Sequence, residues 1–258
     1  MEVLVHHEVW TDTEDDLVYD HIEVLLRQGS RYYIGSQKDR HAPIQPENIT
    51  IVAELPDSYI YAPFPAGLTL APDPLPENVY LKRPDILASY GATDNCCTIL
   101  IQEAHLYEKL RLHPHKNIVK YHGCMEEKGM FHAICLEKYP VTLAERVNDL
   151  SEAEKKRAFQ DIQDGIAHLH SIGFAHNDLN PTNVMIAEDG TAVIVDFDSC
   201  SPIGELMGPK GPTMGWGGPQ PGEPGWGAPP GERQLTTTEG DLRNLKQMKE
   251  YLLGKVVA

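Results

Sequence analysis

Two polar segments separated by a short β-rich stretch constrain the fold of this chain more than any other feature. The first segment, residues 176–183, reads HNDLNPTN, and the second, residues 196–198, reads DFD. The stretch between them consists of two apolar runs separated by Asp189-Gly190, and this arrangement is a strong hairpin signal. A hairpin here would bring Asn183 and Asp196 close together, so that both side chains could bind one metal ion.

The two segments resemble the signature of protein kinases, in which an H-R-D-L-x-x-x-N loop precedes D-F-G. The matching residues are His176, Asp178, Leu179, Asn183, Asp196 and Phe197. Asn177 stands where the family has an arginine, and Asp198 stands where it has a glycine. The run VIVDFDSC is also similar to that of short, divergent kinase-like proteins of fungi, so we expect a divergent member of this superfamily.

The resemblance implies a role for three of these side chains. Asp178 would be the base that accepts or orients the proton of the substrate hydroxyl. Asn183 and Asp196 would hold Mg²⁺ against the phosphates of ATP. Taken singly, Asp178 and Asn183 could equally be loop residues that bind nearby backbone amides.

A candidate lysine and its glutamate partner lie earlier in the chain. The strand-like run 78–83 contains Lys82, and helical spacing over residues 100–112 includes Glu103. Each residue alone would be an ordinary surface residue. The segment that follows, HPHKNIV at 113–119, resembles the exit of the kinase helix. The resemblance therefore implies that Glu103 positions Lys82 against the α- and β-phosphates.

The next elements are consistent with a nucleotide site and a helical second half. Residues 131–136 are predicted to form a buried strand, and the resemblance places the hinge that contacts adenine at 137–139, with Glu137 and Tyr139 as binding residues. Capping-box spacings at Thr142/Glu145 and Ser151/Glu154 predict two helix starts. A last helix is predicted over 241–253, with Asp241 similar to an anchoring aspartate of the family.

We therefore expect an α+β chain with a two-lobed protein kinase-like fold. The predicted N-lobe is rich in β-structure, and the predicted C-lobe is mainly helical and shortened. Residues 1–75 are expected to form an N-terminal extension that contributes to the N-lobe or packs on it, with a helix near 16–27. The kinase-like domain is expected over 76–258, with the N-lobe ending at about 137 and the C-lobe covering 140–258.

Composition limits the partners and the compartment. The formal net charge of -16 disfavours nucleic acids and anionic membranes as main partners. Five cysteines without a regular spacing favour a reduced chain. No stretch approaches the ~20 apolar residues that span a bilayer, and the N-terminus lacks the pattern of a signal peptide. These features predict a cytoplasmic or nuclear protein.

Several features of kinases are missing or altered. No G-x-G-x-x-G precedes Lys82, and the segment 62–68 offers one glycine among prolines, which have no amide hydrogen for a phosphate. Asn180 stands where Ser/Thr kinases carry a lysine that contacts the γ-phosphate. The segment 202–231 is rich in glycine, proline and tryptophan, and is either a substrate lid or a connector.

The resemblance implies an ATP- and Mg²⁺-dependent phosphotransferase of the serine/threonine protein kinase type, with a protein substrate. Two alternatives remain at this point. The chain could be a pseudokinase that serves as an interaction module without catalysis. It could also be a small-molecule kinase of the aminoglycoside or choline type, since those enzymes also pair a short H-x-D loop with Asp-Phe-Asp.

Overall fold

The computed structural model describes residues 1–12, 16–91, 93–206 and 235–254. These residues form two compact units whose segments alternate along the chain. The first unit contains Met1–Gly67, Arg83–Ile101 and Met125–Ala133, and the second contains Leu68–Lys82, Gln102–Cys124 and the described residues from Ile134 onward. The domain boundaries expected at residue 75 and at 137–139 stay predictions.

A four-stranded antiparallel sheet dominates the first unit. It consists of β1 (Glu2–Asp12), β2 (Leu17–Gln28), β3 (Arg31–Gln37) and β4 (Thr50–Leu55), which lie in the order of the sequence. A small core on one face contains Ile22, Val24, Leu26 and Ile49. The sheet therefore has a hydrophobic cluster of its own.

The helix predicted near residues 16–27 is wrong, because these residues form strand β2. The apolar run Val24-Leu25-Leu26 fits either a helix or a strand, so its spacing alone does not decide between them. The alternation of Ile22, Val24 and Leu26, all at most 4% exposed, places them on one face of the sheet. Pairing with both β1 and β3 then satisfies the backbone of β2 on its two sides.

Short elements complete the first unit. They are α1 (Asp57–Ile60), β5 (Ala62–Pro63) and α2 (Ile86–Ser89). Prolines recur between residues 56 and 76, and each removes a backbone donor and restricts its neighbour. Regular structure in this region is therefore brief, as expected.

Three strands and a helix of the middle region carry residues that later form the site. The strands are β6 (Val79–Lys82), β7 (Tyr121–Glu127) and β8 (Met130–Glu137), with β8 paired to both others. The helix is α3 (Thr98–Leu110). The strands predicted over 78–83 and 131–136 and the helix predicted from residue 100 are confirmed, with small shifts at their ends.

The second unit continues with β9 (Val141–Thr142), α4 (Leu143–Arg146) and α5 (Glu152–Ser171). Both predicted capping boxes are present, because Thr142 and Ser151 each exchange hydrogen bonds with the glutamate three residues on. The buried residues of α5 include Ala158, Ile162, Ile166 and Leu169. Gly173 then has a φ of 87°, a left-handed value that suits glycine after a helix.

The predicted hairpin is confirmed as β11 (Val184–Ile186) and β12 (Ala192–Ile194). It packs tightly against α5, since a Cβ added to Gly165 would lie 2.8 Å from Ile194 Cδ1 and 3.1 Å from Asn117 O. Only a glycine on α5 allows this approach.

Two short strands and a helix complete the described chain. They are β10 (Phe174–Ala175), which pairs with β13 (Ser201–Pro202), and α6 (Glu239–Leu253). The mixture of strands and helices confirms the α+β class. A lid or connector is predicted at 202–231, and residues 207–231 of this segment lie outside the described part of the chain. None of the described helices is both long and apolar enough to cross a membrane.

A pair of identical substitutions tests the strand assignment of β2. Val24 is 0% exposed and Val18 is 50% exposed. We expect Val24→Ala to destabilise the sheet by about 2 kcal/mol, through lost burial and a cavity. We expect Val18→Ala to stay within about 0.5 kcal/mol. Amide hydrogen exchange of β2 and β3 measures both, and equal losses of protection would contradict the assignment.

Candidate functional site

Lys82, at the end of β6, forms ion pairs with two carboxylates. Its Nζ lies 2.8 Å from Glu103 Oε1 and 2.7 Å from Glu103 Oε2. The same Nζ lies 2.6 Å from Asp196 Oδ1. Lys82 is 21 positions from Glu103 and 114 positions from Asp196 in the sequence. The structure thus brings together three predicted site residues that are distant along the chain. We call this group the Lys82 ion triad.

Burial makes each charge of the triad depend on the others. The side chain of Glu103 is 1% exposed and that of Lys82 is 21% exposed. Burial alone would lower the pKa of Lys82, but Glu103 and Asp196 outweigh this effect and raise its pKa above the usual value. Burial raises the pKa of Glu103, although Lys82 opposes that shift. Removing one partner would leave a buried charge uncompensated, which is costly.

Two amide side chains hold the carboxylate of Asp178. Asn183 Nδ2 donates to Asp178 Oδ2 and to the Asp178 carbonyl, both at 2.9 Å. Asn180 Nδ2 donates to Asp178 Oδ1 at 3.1 Å. Since Nδ2 of Asn183 is used in this way, its Oδ1 is the atom available as an acceptor. The predicted pair Asp178 and Asn183 is therefore in direct contact.

Asn180 has a second, structural role. Its Oδ1 accepts hydrogen bonds from the backbone amides of Thr182, at 2.9 Å, and Asn183, at 3.3 Å. Asn180 therefore caps the short 3₁₀ turn Pro181–Asn183 while its Nδ2 holds Asp178. The sequence suggested only a missing charge here, and the structure adds a reason for an amide at this position.

Asn177 also has a structural role that the sequence did not indicate. Its φ is 64°, in the left-handed region that asparagine tolerates better than most residues. Its Nδ2 donates to the carbonyl of Ser199 at 2.9 Å and to that of Ala175 at 3.3 Å. The amide thus joins the 176–183 loop to the segment that follows Asp196.

The buried carboxylate of Asp241, on α6, anchors the same loop. Asp241 Oδ2 accepts from the His176 amide and contacts His170 Nε2, both at 2.8 Å. Asp241 Oδ1 accepts from the Asn177 amide at 2.9 Å. Asp241 is 0% exposed, so these bonds satisfy its carboxylate in the absence of water contact.

Four aromatic rings form a continuous series from the loop to β7. His176 lies 5.0 Å from Phe197, and Phe197 lies 5.6 Å from Tyr107 on α3. Tyr107 stacks on Tyr121 with ring centroids 5.4 Å apart and planes 15° apart. We call these four residues the aromatic column. Sequence analysis missed both tyrosines, although Tyr107 follows Glu103 by one helical turn and so shares its face.

The ring of His176 has a defined tautomer. Its Nε2 lies 3.1 Å from the Val195 carbonyl, which can only accept, so Nε2 carries the hydrogen. Its Nδ1 then accepts from the Asp178 amide at 3.3 Å. The first ring of the column therefore connects the Asp178 loop to the residue before Asp196.

A cleft of about 360 Å³ in the second unit collects most of the predicted site residues. Lys82, Asn183 and Asp196 are among its polar side chains, and Glu137 and Tyr139 also lie on its wall. Asp178 and Glu103 are not on the wall but contact Asn183 and Lys82, which are. The remaining lining residues are Tyr80, Val119, Leu136, Lys138, Thr182, Met185 and Val195. The cleft is thus apolar along much of its wall and ionic where the triad lies.

Comparison with known proteins gives a family match for the part of the chain that contains most of the site. The model of the protein kinase domain matches residues 87–209. The human serine/threonine-protein kinase/endoribonuclease IRE2 is 32% identical over 117 residues, which are 42% of this chain and 12% of that protein. The Schizosaccharomyces pombe serine/threonine-protein kinase ksp1 is 33% identical over 105 residues, which are 37% and 22% of the respective chains.

A third relative is similar over a shorter segment. The rice CBL-interacting protein kinase 17 is 35% identical over 92 residues, which are 34% of this chain and 20% of that protein. The matched part of this chain spans less than a quarter of the length of each of the three relatives.

Removing the carboxylate of Asp241 tests its role as an anchor. Asp241→Ala leaves two buried backbone amides without an acceptor, so we expect a loss of about 3 kcal/mol or more in the free energy of unfolding. Glu250→Ala, an exposed substitution on the same helix, is the matched control and should stay within about 0.5 kcal/mol. Urea denaturation measures both, and a loss below 1 kcal/mol for Asp241→Ala would contradict the anchor.

Proposed function

We propose that this chain, which is a member of the protein kinase-like superfamily, is an ATP- and Mg²⁺-dependent phosphotransferase that acts on serine or threonine hydroxyls of a protein substrate. The observation that carries the proposal is the Lys82 ion triad beside an apolar cleft. A lysine held between a buried glutamate and the aspartate of a D-F segment suits the neutralisation of phosphate charge. The match to the signature of the 176–183 loop supports the same chemistry.

The cleft has the size and lining that a nucleotide needs. Binding sites for small molecules commonly have volumes of about 300 to 1,000 Å³ and apolar walls with a few polar groups. Val119, Leu136 and Met185 would contact the adenine ring. The backbone of residues 137–139 would supply its hydrogen bonds, and Lys82 would contact the α- and β-phosphates.

The residues at the ionic end of the cleft fit a magnesium ion. Asp196 and Oδ1 of Asn183 are hard oxygen donors, and Mg²⁺ is usually held by one or two such protein groups together with substrate phosphates and water. When bound, the ion would neutralise charge on the phosphates. Lys82 would remain protonated beside it, because its two carboxylate partners raise its pKa.

Asp178 would orient the substrate hydroxyl and accept its proton. Asn180 and Asn183 fix the carboxylate from two sides, so little rotational freedom is lost when the substrate binds. Asn180 supplies no positive charge for the transferred phosphoryl group. We therefore expect a slower transfer than in kinases with a lysine at this position, because one interaction with the transition state is missing.

Asn180 also favours a second candidate function, that of a nucleotide-binding module without catalysis. In this case the neutral amide would serve only to cap the 181–183 turn and to hold Asp178. The cleft and the triad would then bind nucleotide and stabilise the fold. Measurements of binding and of transfer distinguish the two functions.

Nucleotide binding should appear as thermal stabilisation. A ligand at a hundred times its dissociation constant stabilises the folded state by about 2.7 kcal/mol, which raises the Tm by several degrees for a chain of this size. We expect this shift with Mg-ATP and its loss in Asp196→Ala. Glu188→Ala, an exposed change in the hairpin that precedes Asp196, should retain the shift. Absence of a shift for the unmodified protein at millimolar Mg-ATP would contradict both candidate functions.

Phosphate transfer should depend on Asp178. General-base catalysis commonly contributes a factor of about 10² to 10⁴, so we expect a loss of that size in Asp178→Asn while the thermal shift with Mg-ATP remains. Transfer of labelled γ-phosphate to generic protein substrates, or to the chain itself, measures the rate. An unchanged rate in Asp178→Asn would contradict the base assignment. Binding without transfer in the unmodified protein would support the non-catalytic module.

A further inference from the structure

A second cavity, of about 690 Å³, lies in the same unit and shares part of its wall with the nucleotide cleft. The C-terminal end of α3, the segment 114–121 and residues 137 and 139 line it. Val119, Glu137 and Tyr139 line both cavities, whereas Lys82, Asn183 and Asp196 line only the cleft. The proposed phosphotransfer chemistry makes no use of this second cavity, which we call the rear cavity.

The walls of the rear cavity are aromatic and aliphatic. Tyr107, Tyr121 and Tyr139 contribute rings, and Leu110 and Ile118 contribute aliphatic side chains. The hydroxyl of Tyr121 is held by Glu108 Oε1 at 2.8 Å, so the ring has a fixed position. A wall of this kind suits a planar aromatic group, because rings pack well against other rings and against aliphatic side chains.

Cationic side chains surround these apolar walls. Lys120 is exposed and has no ion pair among the residues that the structure describes. Arg111 uses its Nε to bind Glu108 Oε2 at 2.5 Å, and its two Nη groups have no partner within the described ranges. Lys116 adds a third positive charge but is paired with Asp161 at 2.9 Å.

The acidic groups near the cavity are already engaged. Glu108 accepts from Arg111, from Tyr121 and from the backbone and hydroxyl of Thr69. Glu137 Oε2 lies 2.8 Å from His122 Nε2. In a chain with a formal net charge of -16, two cations with free donors give this pocket local positive charge that can attract an anion.

We propose that the rear cavity binds a small anionic ligand that carries an aromatic ring. The ring lies among Tyr121, Leu110 and Ile118, and the anionic group binds Lys120 and the Nη groups of Arg111. The ligand also contacts the last ring of the aromatic column. The site does not depend on the proposed phosphotransferase function, because none of its cations belongs to the nucleotide cleft.

The test uses a fluorescent probe with the required chemistry. The probe 8-anilinonaphthalene-1-sulfonate is anionic and aromatic, and N-phenyl-1-naphthylamine is its neutral counterpart without the sulfonate. We expect saturable binding of the sulfonate to the full chain and weaker binding of the neutral probe. Lys120→Glu and Arg111→Glu should each weaken binding of the sulfonate at least tenfold, which corresponds to about 1.4 kcal/mol.

Two controls locate the probe and exclude a general charge effect. Lys156→Glu makes the same charge change at an exposed position of α5 and should alter the affinity less than twofold. Thr182→Glu places a negative charge at an exposed position that lines only the nucleotide cleft, and it should also leave the affinity within twofold. Unchanged affinity in Lys120→Glu, equal losses in Lys120→Glu and Lys156→Glu, or loss of binding in Thr182→Glu would each overturn the proposal. Circular dichroism verifies that each variant is folded.

Discussion

The buried carboxylate of Asp241 is the interaction on which the rest of the site depends. It accepts hydrogen bonds from the backbone amides of His176 and Asn177 and contacts His170. A single side chain therefore joins α6, the end of α5 and the start of the 176–183 loop. A buried carboxylate is tolerated only when donors surround it, and backbone amides cannot turn away as side chains can. Asp241 therefore sets the position from which the loop continues to Asp178.

The aromatic column connects the positioned 176–183 loop to α3 and β7 in the same unit. His176 is bound by Asp241 at its backbone and by Val195 at its ring, and Phe197 and Tyr107 continue the contacts to Tyr121. The Phe197 amide also donates to Glu103 Oε1 at 3.3 Å, so the column and the Lys82 ion triad share a contact. The packing of the aromatic column and the ion pairs of the triad thus favour the same arrangement of the residues around the cleft.

Sequence patterns predicted the parts of the structure that depend on local rules. The Asp189-Gly190 hairpin and both capping boxes follow from the chemistry of a few neighbouring residues, and all of them are present. The helix predicted for the β2 segment is wrong because its apolar run fits the spacing of a helix as well as that of a strand. Pairing with β1 and β3 decides in favour of the strand. The roles of Asn177 and Tyr107 depend on partners distant in sequence, which local spacing does not reveal.

The hydrogen bond from Asn177 to the Ser199 carbonyl has a consequence for control of the site. Where the resembled family has an arginine, whose charge can respond to a phosphate group, this chain has an uncharged amide bound to its own backbone. Such a bond does not titrate, and salt screens it far less than an ion pair. Uncharged groups of the chain itself therefore make this contact between the two signature segments, and no phosphate group takes part in it.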